Sequence, residues 1–455
     1  MVLSLLSQPS SVSRASFSLR RSLSSTSTHL QAKSFLQPRE TLTLPRGFLA
    51  SGVHAGVKKN GALDVGLVVS AHPTTAAACF TENVFKAAPV QVSRELLLNS
   101  SKYSIQSFVV NSGCANAVTG KQGMQDAEAM SRAAGNFSEK LSENSRALVM
   151  STGVIGQNLP INRILSGIES AKSSLSSSVE AWESLATAFM TTDTFPKLKT
   201  RSFQLGGKQV NFVGIDKGAG MIHPKMGPPH ATLLAFIGTD AAIEEFSLQK
   251  ALTYAVDRSF NSISVDGDMS TNDTILMMSN GASGGDKISE TGTPEEYIKF
   301  REQLTEFATD LASLIVRDGE GATKFVKINV QGAPSYKGAQ HIASMISRSM
   351  LVKTALHGED ANWGRILCAI GYSNPDFAVD PNTVSVSFIP SDGSAELKLL
   401  INGEPEKVDE SRAKEILSMN DLEISVKLGL GQESASYYTC DLSKEYISIN
   451  ADYRS

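Results

Sequence analysis

The stretch at residues 217–240, KGAGMIHPKMGPPHATLLAFIGTD, constrains this chain more than any other. It opens with a small, permissive loop at Gly218, Ala219 and Gly220, and is then stiffened by Pro224, Pro228 and Pro229. Glycine frees the backbone, whereas proline removes freedom and disfavours helix for the residue before it. The chain is therefore bent and held just ahead of Ala231-Thr232, and the apolar run at 233–237 reads as a buried strand directly behind. A threonine with a strained peptide before it and a rigid strand after it suggests a self-cleaving nucleophile. Its hydroxyl attacks the Ala231 carbonyl, an N-to-O acyl shift gives an ester, and water frees a new N-terminal Thr232. The freed α-amine, with a reference pKa of about 7.7–8.0, then serves as base for the hydroxyl beside it. The same residues also read as a proline-rich turn feeding a core strand, and spacing alone leaves both readings open.

The remaining composition bounds the setting. The chain has 455 residues, 41% of them hydrophobic, and a formal net charge of −4, which suits two or three globular domains. A mildly acidic balance argues against nucleic acid as a main partner. Cys79, Cys114, Cys368 and Cys440 lie far apart, without disulfide or metal-site spacing, so a reducing compartment and no metal are expected. No apolar run is long enough to cross a bilayer, so no membrane partner is expected. Residues 1–40 differ: Arg14, Arg20, Arg21, Lys33 and Arg39 stand among many serines, with no acid before Glu40. That reads as an organellar transit peptide or, more plainly, a disordered tail. Basic and apolar residues at roughly helical spacing favour the mitochondrial matrix, while the serine density leaves the chloroplast open.

Hydrophobic periodicity predicts strands at 64–70, 76–80, 107–110, 146–151, 274–279, 325–330, 384–388, 396–401 and 423–428. It predicts helices at 92–98, 122–141, 179–189, 244–257, 295–314, 339–351 and 409–419, and a hairpin at 203–215 turning at Gly206-Gly207. Residues 88–92 read as β-prone, and 332–338 as the linker between an α+β catalytic unit and a smaller α+β domain. Several loops invite chemistry. Thr152-Gly153 follows a strand and could aim two donors at one point, as an oxyanion hole, or form a β-turn. The polar cluster at 190–194 could bind an amino acid or satisfy a helix end. Residues 266–277 superficially suggest a calcium loop, but Met277 stands at the twelfth position, where a bidentate Glu is needed. Dense Asp, Ser and Thr there suggest a hydrogen-bonded scaffold near the site. Glu320, between two glycines, could pair with a substrate ammonium group or make a plain salt bridge.

Taken together, these strings resemble the ornithine acetyltransferase (ArgJ) family, the glutamate N-acetyltransferases of arginine biosynthesis. The resemblance is carried by 217–226 followed by Ala231-Thr232, Thr152-Gly153-Val154-Ile155-Gly156, Met190-Thr191-Thr192-Asp193 and Asp318-Gly319-Glu320-Gly321. Val352-Lys353-Thr354-Ala355, Asn362-Trp363-Gly364-Arg365 and the ending Ile449-Asn450-Ala451-Asp452-Tyr453-Arg454-Ser455 extend it over the whole chain after residue 40. There are three departures. Residues 227–230 form an extra turn before the scissile pair, Cys114 replaces the usual Asn, and Ser455 stands where Thr is common.

The resemblance implies a four-layer αββα sandwich of the N-terminal-nucleophile, ArgJ/DmpA type. Its parts would be a transit peptide at 1–40, an α chain at 41–231, a β chain at 232–331 starting at Thr232, and a C-terminal α+β domain at 332–455 whose tail returns to the site. It implies cleavage between Ala231 and Thr232, nucleophile Thr232, oxyanion donors Thr152 and Gly153, and substrate contacts at Thr191, Lys217, Thr232, Glu320, Asn450 and Ser455. The reaction implied is acetyl transfer from N2-acetyl-L-ornithine to L-glutamate through an acetyl-Thr232 ester, with ping-pong kinetics. No metal or other cofactor is implied; acetyl-CoA is a candidate second donor. The assembly implied is a heterotetramer of two α and two β chains. Two rivals remain: a related N-terminal-nucleophile amidase or aminopeptidase, with water replacing glutamate, and a non-catalytic binding protein with an intact chain.

Overall fold

The computed structural model describes residues 35–138, 141–224, 226–227 and 233–451. The transit-peptide reading therefore lies almost wholly outside the described residues, as do Ala231, Thr232 and Ser455. In chain order the elements are β1 (Phe48–Val53), β2 (Val65–Ser70), β3 (Thr75–Thr81), α1 (Ala88–Leu98), β4 (Ser104–Cys114), α2 (Gly120–Gly135), β5 (Ser145–Val154), α3 (Ile161–Ser173) and α4 (Val179–Phe189). There follow β6 (Lys197–Leu205), β7 (Lys208–Lys217), β8 (Met226–Gly227), β9 (Leu234–Thr239), α5 (Glu245–Arg258), β10 (Ile263–Ser264), β11 (Thr274–Ser279) and α6 (Pro294–Arg317). The last part holds β12 (Phe325–Ala333), α7 (Tyr336–Ser347), α8 (Met350–His357), α9 (Trp363–Gly371), β13 (Ser385–Pro390), β14 (Leu397–Ile401), β15 (Glu404–Pro405), α10 (Glu410–Leu417), β16 (Asp421–Lys427), β17 (Glu433–Cys440) and α11 (Lys444–Asn450).

Among the described residues the strands form three sheets, ordered β1-β2-β4-β5, β6-β7-β9-β11-β3-β8 and β10-β17-β12-β16-β13-β14-β15. The central strands of the second sheet are apolar at nearly every position because both faces are covered. In β9, Leu234 and Phe236 join the core shared with the first sheet, while Ala235 and Ile237 join a second core under α5 and α6. In β11, Leu276 and Met278 divide from Ile275 and Met277 in the same way. The Phe236 ring lies 4.5 Å, centroid to centroid, from Phe108 of β4, so the two sheets face each other directly. Fully burying such a side chain is worth about 1.5–3 kcal/mol. On the outer side of the first sheet, Ser107 Oγ donates to the Ala134 carbonyl of α2, and Ser131 Oγ of α2 donates to the Ala147 carbonyl of β5. The order is helices, sheet, sheet, helices: the expected αββα sandwich. The free edge of β5 is closed by Ser93 of α1, whose Oγ donates to the Val149 carbonyl and accepts from the Val149 N–H. That leaves one edge less open to stray strand pairing. The third sheet is tied to this unit by β10, which pairs in parallel with β17.

Some expectations need correction. Residues 88–92 are not β-prone chain but the first turns of α1; Pro89 sits in the first turn, where its missing N–H costs nothing. The helix expected at 339–351 is two, α7 and α8, with Ser349 capping the second through its side chain. The helix expected at 122–141 ends at Gly135. Gly332 is not in a linker: with φ of +72° it makes a bulge inside β12, where pairing to β17 shifts between Gln331 and Ala333. Apart from β10, the strands of the third sheet run from Phe325 onward, so β12 begins before Gly332 and includes it. Among the described residues, no helix is long and apolar enough to cross a membrane.

Candidate active site

The site forms where the parallel pair β4 and β5 ends. Gly153 sits opposite Gly113, with φ of +128°. A Cβ on Gly153 would lie 2.3 Å from the Gly113 carbonyl carbon and 2.6 Å from the Cys114 nitrogen. Only glycine fits that approach. Thr152 and Gly153 line a cavity together with Lys217, Leu233, Asn272 and Asp273, and Ile155, Gly220 and Met221 are also part of its wall.

Lys217 ends β7 and is nearly fully buried. Its Nζ donates to Thr152 Oγ1 at 3.4 Å and lies 3.9 Å from Asp193 Oδ2. Burial lowers its pKa, and the charge of Asp193 offsets that only in part. Asp193 is a hub. It accepts from the Thr191 and Gly218 N–H groups, both at 2.8 Å, and from Lys197 Nζ at 2.6 Å. Burial opposes its charge, but the ammonium groups of Lys197 and Lys217 outweigh burial and hold the carboxyl well below its ordinary range. Lys197 also donates to Asp318, at 2.6 Å.

Glu320 is buried, and its N–H donates to the Ala219 carbonyl at 2.9 Å. Its carboxylate rests on the bare backbone of Gly220, where an added Cβ would come 2.6 Å from Oε2. Asn450 Nδ2 donates to that same Oε2 at 2.7 Å. Asn450 is carried by α11, which is held by polar contacts: Ser443 Oγ donates to the Gly321 carbonyl at 2.6 Å, and Tyr446 OH donates to Asp266 at 3.2 Å. Asp266 in turn accepts from the Met221 and Ile222 N–H groups, fixing the loop that leaves Lys217.

Of the residues singled out from sequence, Thr152, Gly153 and Lys217 therefore share one cavity. Glu320 and Asn450 meet each other behind its Gly220 wall, and Thr191 is joined to it through Asp193. Ala231, Thr232 and Ser455 lie outside the described residues, but Leu233, the next residue after Thr232, lines the cavity. Cys114 is buried, and its Sγ donates to the Gln157 carbonyl at 3.1 Å.

Sequence reasoning passed over four residues. Asn272 Nδ2 donates to the carbonyls of Ala115 and Ser151, pinning the ends of β4 and β5 together. Asp273 sits beside it. Both belong to the string read as a hydrogen-bonded scaffold, so a signal existed without an assignment. Asp193 was seen only as part of a polar cluster. Lys58, in a glycine- and lysine-rich loop, is lowered to about 8 by burial, against the pull of Asp64 and Asp193 and with the push of Lys217.

The ArgJ family model matches residues 49–455. The chain belongs to the ArgJ family. It is 59% identical to the mitochondrial arginine biosynthesis bifunctional protein ArgJ of Postia placenta, over 92% of this chain and 94% of that one. It is 53% identical to the protein of the same name in Cryptococcus neoformans, over 98% of each. This ArgJ family member is thus a bifunctional enzyme of arginine biosynthesis, and the mitochondrion rather than the chloroplast is its compartment. Among solved structures, the ArgJ of Bacillus halodurans is 39% identical, with a TM-score of 0.44, over 48% of this chain and 98% of that one. The ornithine acetyltransferase of Mycobacterium tuberculosis, crystallised with ornithine, is 33% identical, with a TM-score of 0.35, over 40% of this chain and 94% of that one.

Proposed function

We propose that this enzyme cuts itself before Thr232 and then moves acetyl from N2-acetyl-L-ornithine to L-glutamate through an acetyl-Thr232 ester. The observation that carries the reading is the shared cavity of Thr152, Gly153 and Lys217, entered by the chain at Leu233 immediately after the nucleophile. Thr232 Oγ attacks the acetyl carbonyl, and the α-amine of the same residue takes the hydroxyl proton and later gives it to the departing amine. The Thr152 hydroxyl and the Gly153 N–H hold the oxyanion, each worth about 3–4 kcal/mol in such sites. Ornithine leaves, glutamate enters, and the ester is attacked in turn.

Lys217 suits the substrate carboxylate: it is a buried cation whose nearest acid, Asp193, already holds Lys197. Glu320, steadied by Asn450, suits the substrate ammonium group, and Thr191 and Ser455 complete the grip. The word bifunctional in the relatives' names supports acetyl-CoA as a second acetyl donor. The chemistry calls for no metal or other cofactor. Cleavage yields an α chain ending at Ala231 and a β chain that runs from Thr232 through the third sheet, two of each forming the assembly. Titrated release of ornithine from acetylornithine, with and without glutamate, separates transferase from amidase. Intact-mass measurement of the purified protein is expected to find a fragment beginning at Thr232, and Thr232→Ala to leave one uncut, inactive chain. Acetyl transfer by an uncut wild-type chain would end this reading.

A further inference from the structure

Asp273 has no part in the chemistry above. It is 2% exposed and stands at the entry to β11, which runs parallel to β9 with Thr274 opposite Leu234. The Thr274 N–H donates to the Leu233 carbonyl at 2.7 Å, so Asp273 is level with Leu233, one residue past the predicted scissile bond. It lines the same cavity as Thr152, Gly153 and Lys217. The Ser270 and Thr81 hydroxyls stand near its side chain, yet Oδ2 has no hydrogen-bond partner among the described residues. Burying a polar oxygen without a partner is costly, and such atoms in a native site call for an explanation. Burial also pushes this carboxyl well above its ordinary range, with Lys217 as the cation pulling the other way, which favours its neutral form. Asp216 is likewise buried with unpartnered oxygens, but it does not line the cavity. A buried carboxyl with a free oxygen, lining the cavity level with the residue that follows Thr232, is suited to general acid catalysis.

We propose that Asp273 is the general acid of self-cleavage, giving its proton to the Thr232 nitrogen as the Ala231–Thr232 bond breaks. This rests on the function proposed above and deepens it. The Thr232 Oγ forms a bond to the Ala231 carbonyl carbon, and its proton passes to a cavity water. The carbon–nitrogen bond breaks, and the nitrogen takes the Asp273 proton and becomes the free amine. The protonated water then restores the proton to Asp273. A second water hydrolyses the ester, leaving the Ala231 carboxyl group and the Thr232 hydroxyl.

Asp273→Asn keeps the size of the side chain and removes the acid; Asp273→Glu keeps the acid. Full-length chains are followed after synthesis by denaturing gel and intact mass. Cleavage of Asp273→Asn is expected to slow by at least about a hundredfold, and Asp273→Glu is expected to cut measurably. Cleavage of Asp273→Asn at the wild-type rate overturns the proposal. So does Asp273→Glu remaining as uncut as Asp273→Asn, because the position would then serve packing alone. If the wild type is cut at Thr232 and Asp273→Asn is cut equally, only the role of Asp273 falls. An uncut but active wild type removes the underlying reading instead.

Discussion

Thr152 and Gly153 are neighbours with opposite tolerances. Thr152 is half-buried and offers the cavity a hydroxyl, which also accepts from Lys217. Thr152→Ala is expected to leave the melting temperature almost unchanged and to cut kcat for acetyl transfer by about 10²–10³, with Thr152→Ser retaining most of the rate. Gly153→Ala drives a Cβ into the Gly113 backbone at a φ that L side chains rarely adopt, so both melting temperature and rate are expected to fall. Calorimetry and a transfer assay on the same preparations distinguish the two. The sequence marked Thr152-Gly153 as a candidate pair but left the β-turn open, because a turn and a strand-end donor pair share one local pattern. What it could not show was Gly113. The partner that makes Gly153 irreplaceable comes from another strand, and no local spacing encodes that approach. Lys58 was hidden for the same reason: its lowered pKa comes from burial and from charges on other segments.

Elements were legible where burial is periodic and obscure where it is not. The strand expected at 233–237, α4, α5 and the 203–215 hairpin all have sharp apolar periods or turn glycines, and the structure has each of them. α11 buries none of its residues, so there was no apolar face to read. The division of α7 from α8 was missed because apolar residues continue across it, leaving the Ser349 cap as the stop signal. Cross-element fastening is equally invisible locally, and Asn272 is the clearest case. Its amide supplies two carbonyls from two different segments, one at the end of β4 and one in β5. Asn272→Ala strands both buried acceptors, each costing about 1–3 kcal/mol. Urea unfolding is expected to show that loss, and the freed end of β5 to lower kcat as well. Asn272→Asp is expected to be worse on both measures, since it sets an acceptor against two carbonyls.

At the scale of the whole molecule, a buried ionic cluster joins segments that are far apart in sequence. Lys197, at the start of β6, lies between Asp193, after α4, and Asp318, which caps α6. The carboxyl of Asp216, opposite Lys197 on β7, is pushed well above its ordinary range by burial despite the nearby ammonium group. The cluster secures the loops bearing Thr191, Gly218 and Glu320, so its integrity is expected to govern fold and site together. Breaking a buried pair by removing one partner typically costs about 3–5 kcal/mol, and Lys197→Met is expected to fall in that range at pH 7. The pH dependence distinguishes lost charge pairing from lost packing. The folded pKa of Asp193 lies below its unfolded value, so its contribution is present above about pH 4 and is lost as pH falls through the lower folded value. The folded pKa of Lys197 is raised, so its contribution is full below about pH 10 and is lost only as pH rises past that. Near neutrality the wild type holds both. In Lys197→Met, burial raises the stranded carboxyls, which then bind protons on folding, and that variant gains relative stability as pH falls. Urea unfolding at pH 7 and pH 4.5 is therefore expected to show a wide gap at the first and a narrower one at the second. An equal gap at both would assign the loss to the aliphatic stem of Lys197 rather than to its charge, because packing carries no proton linkage.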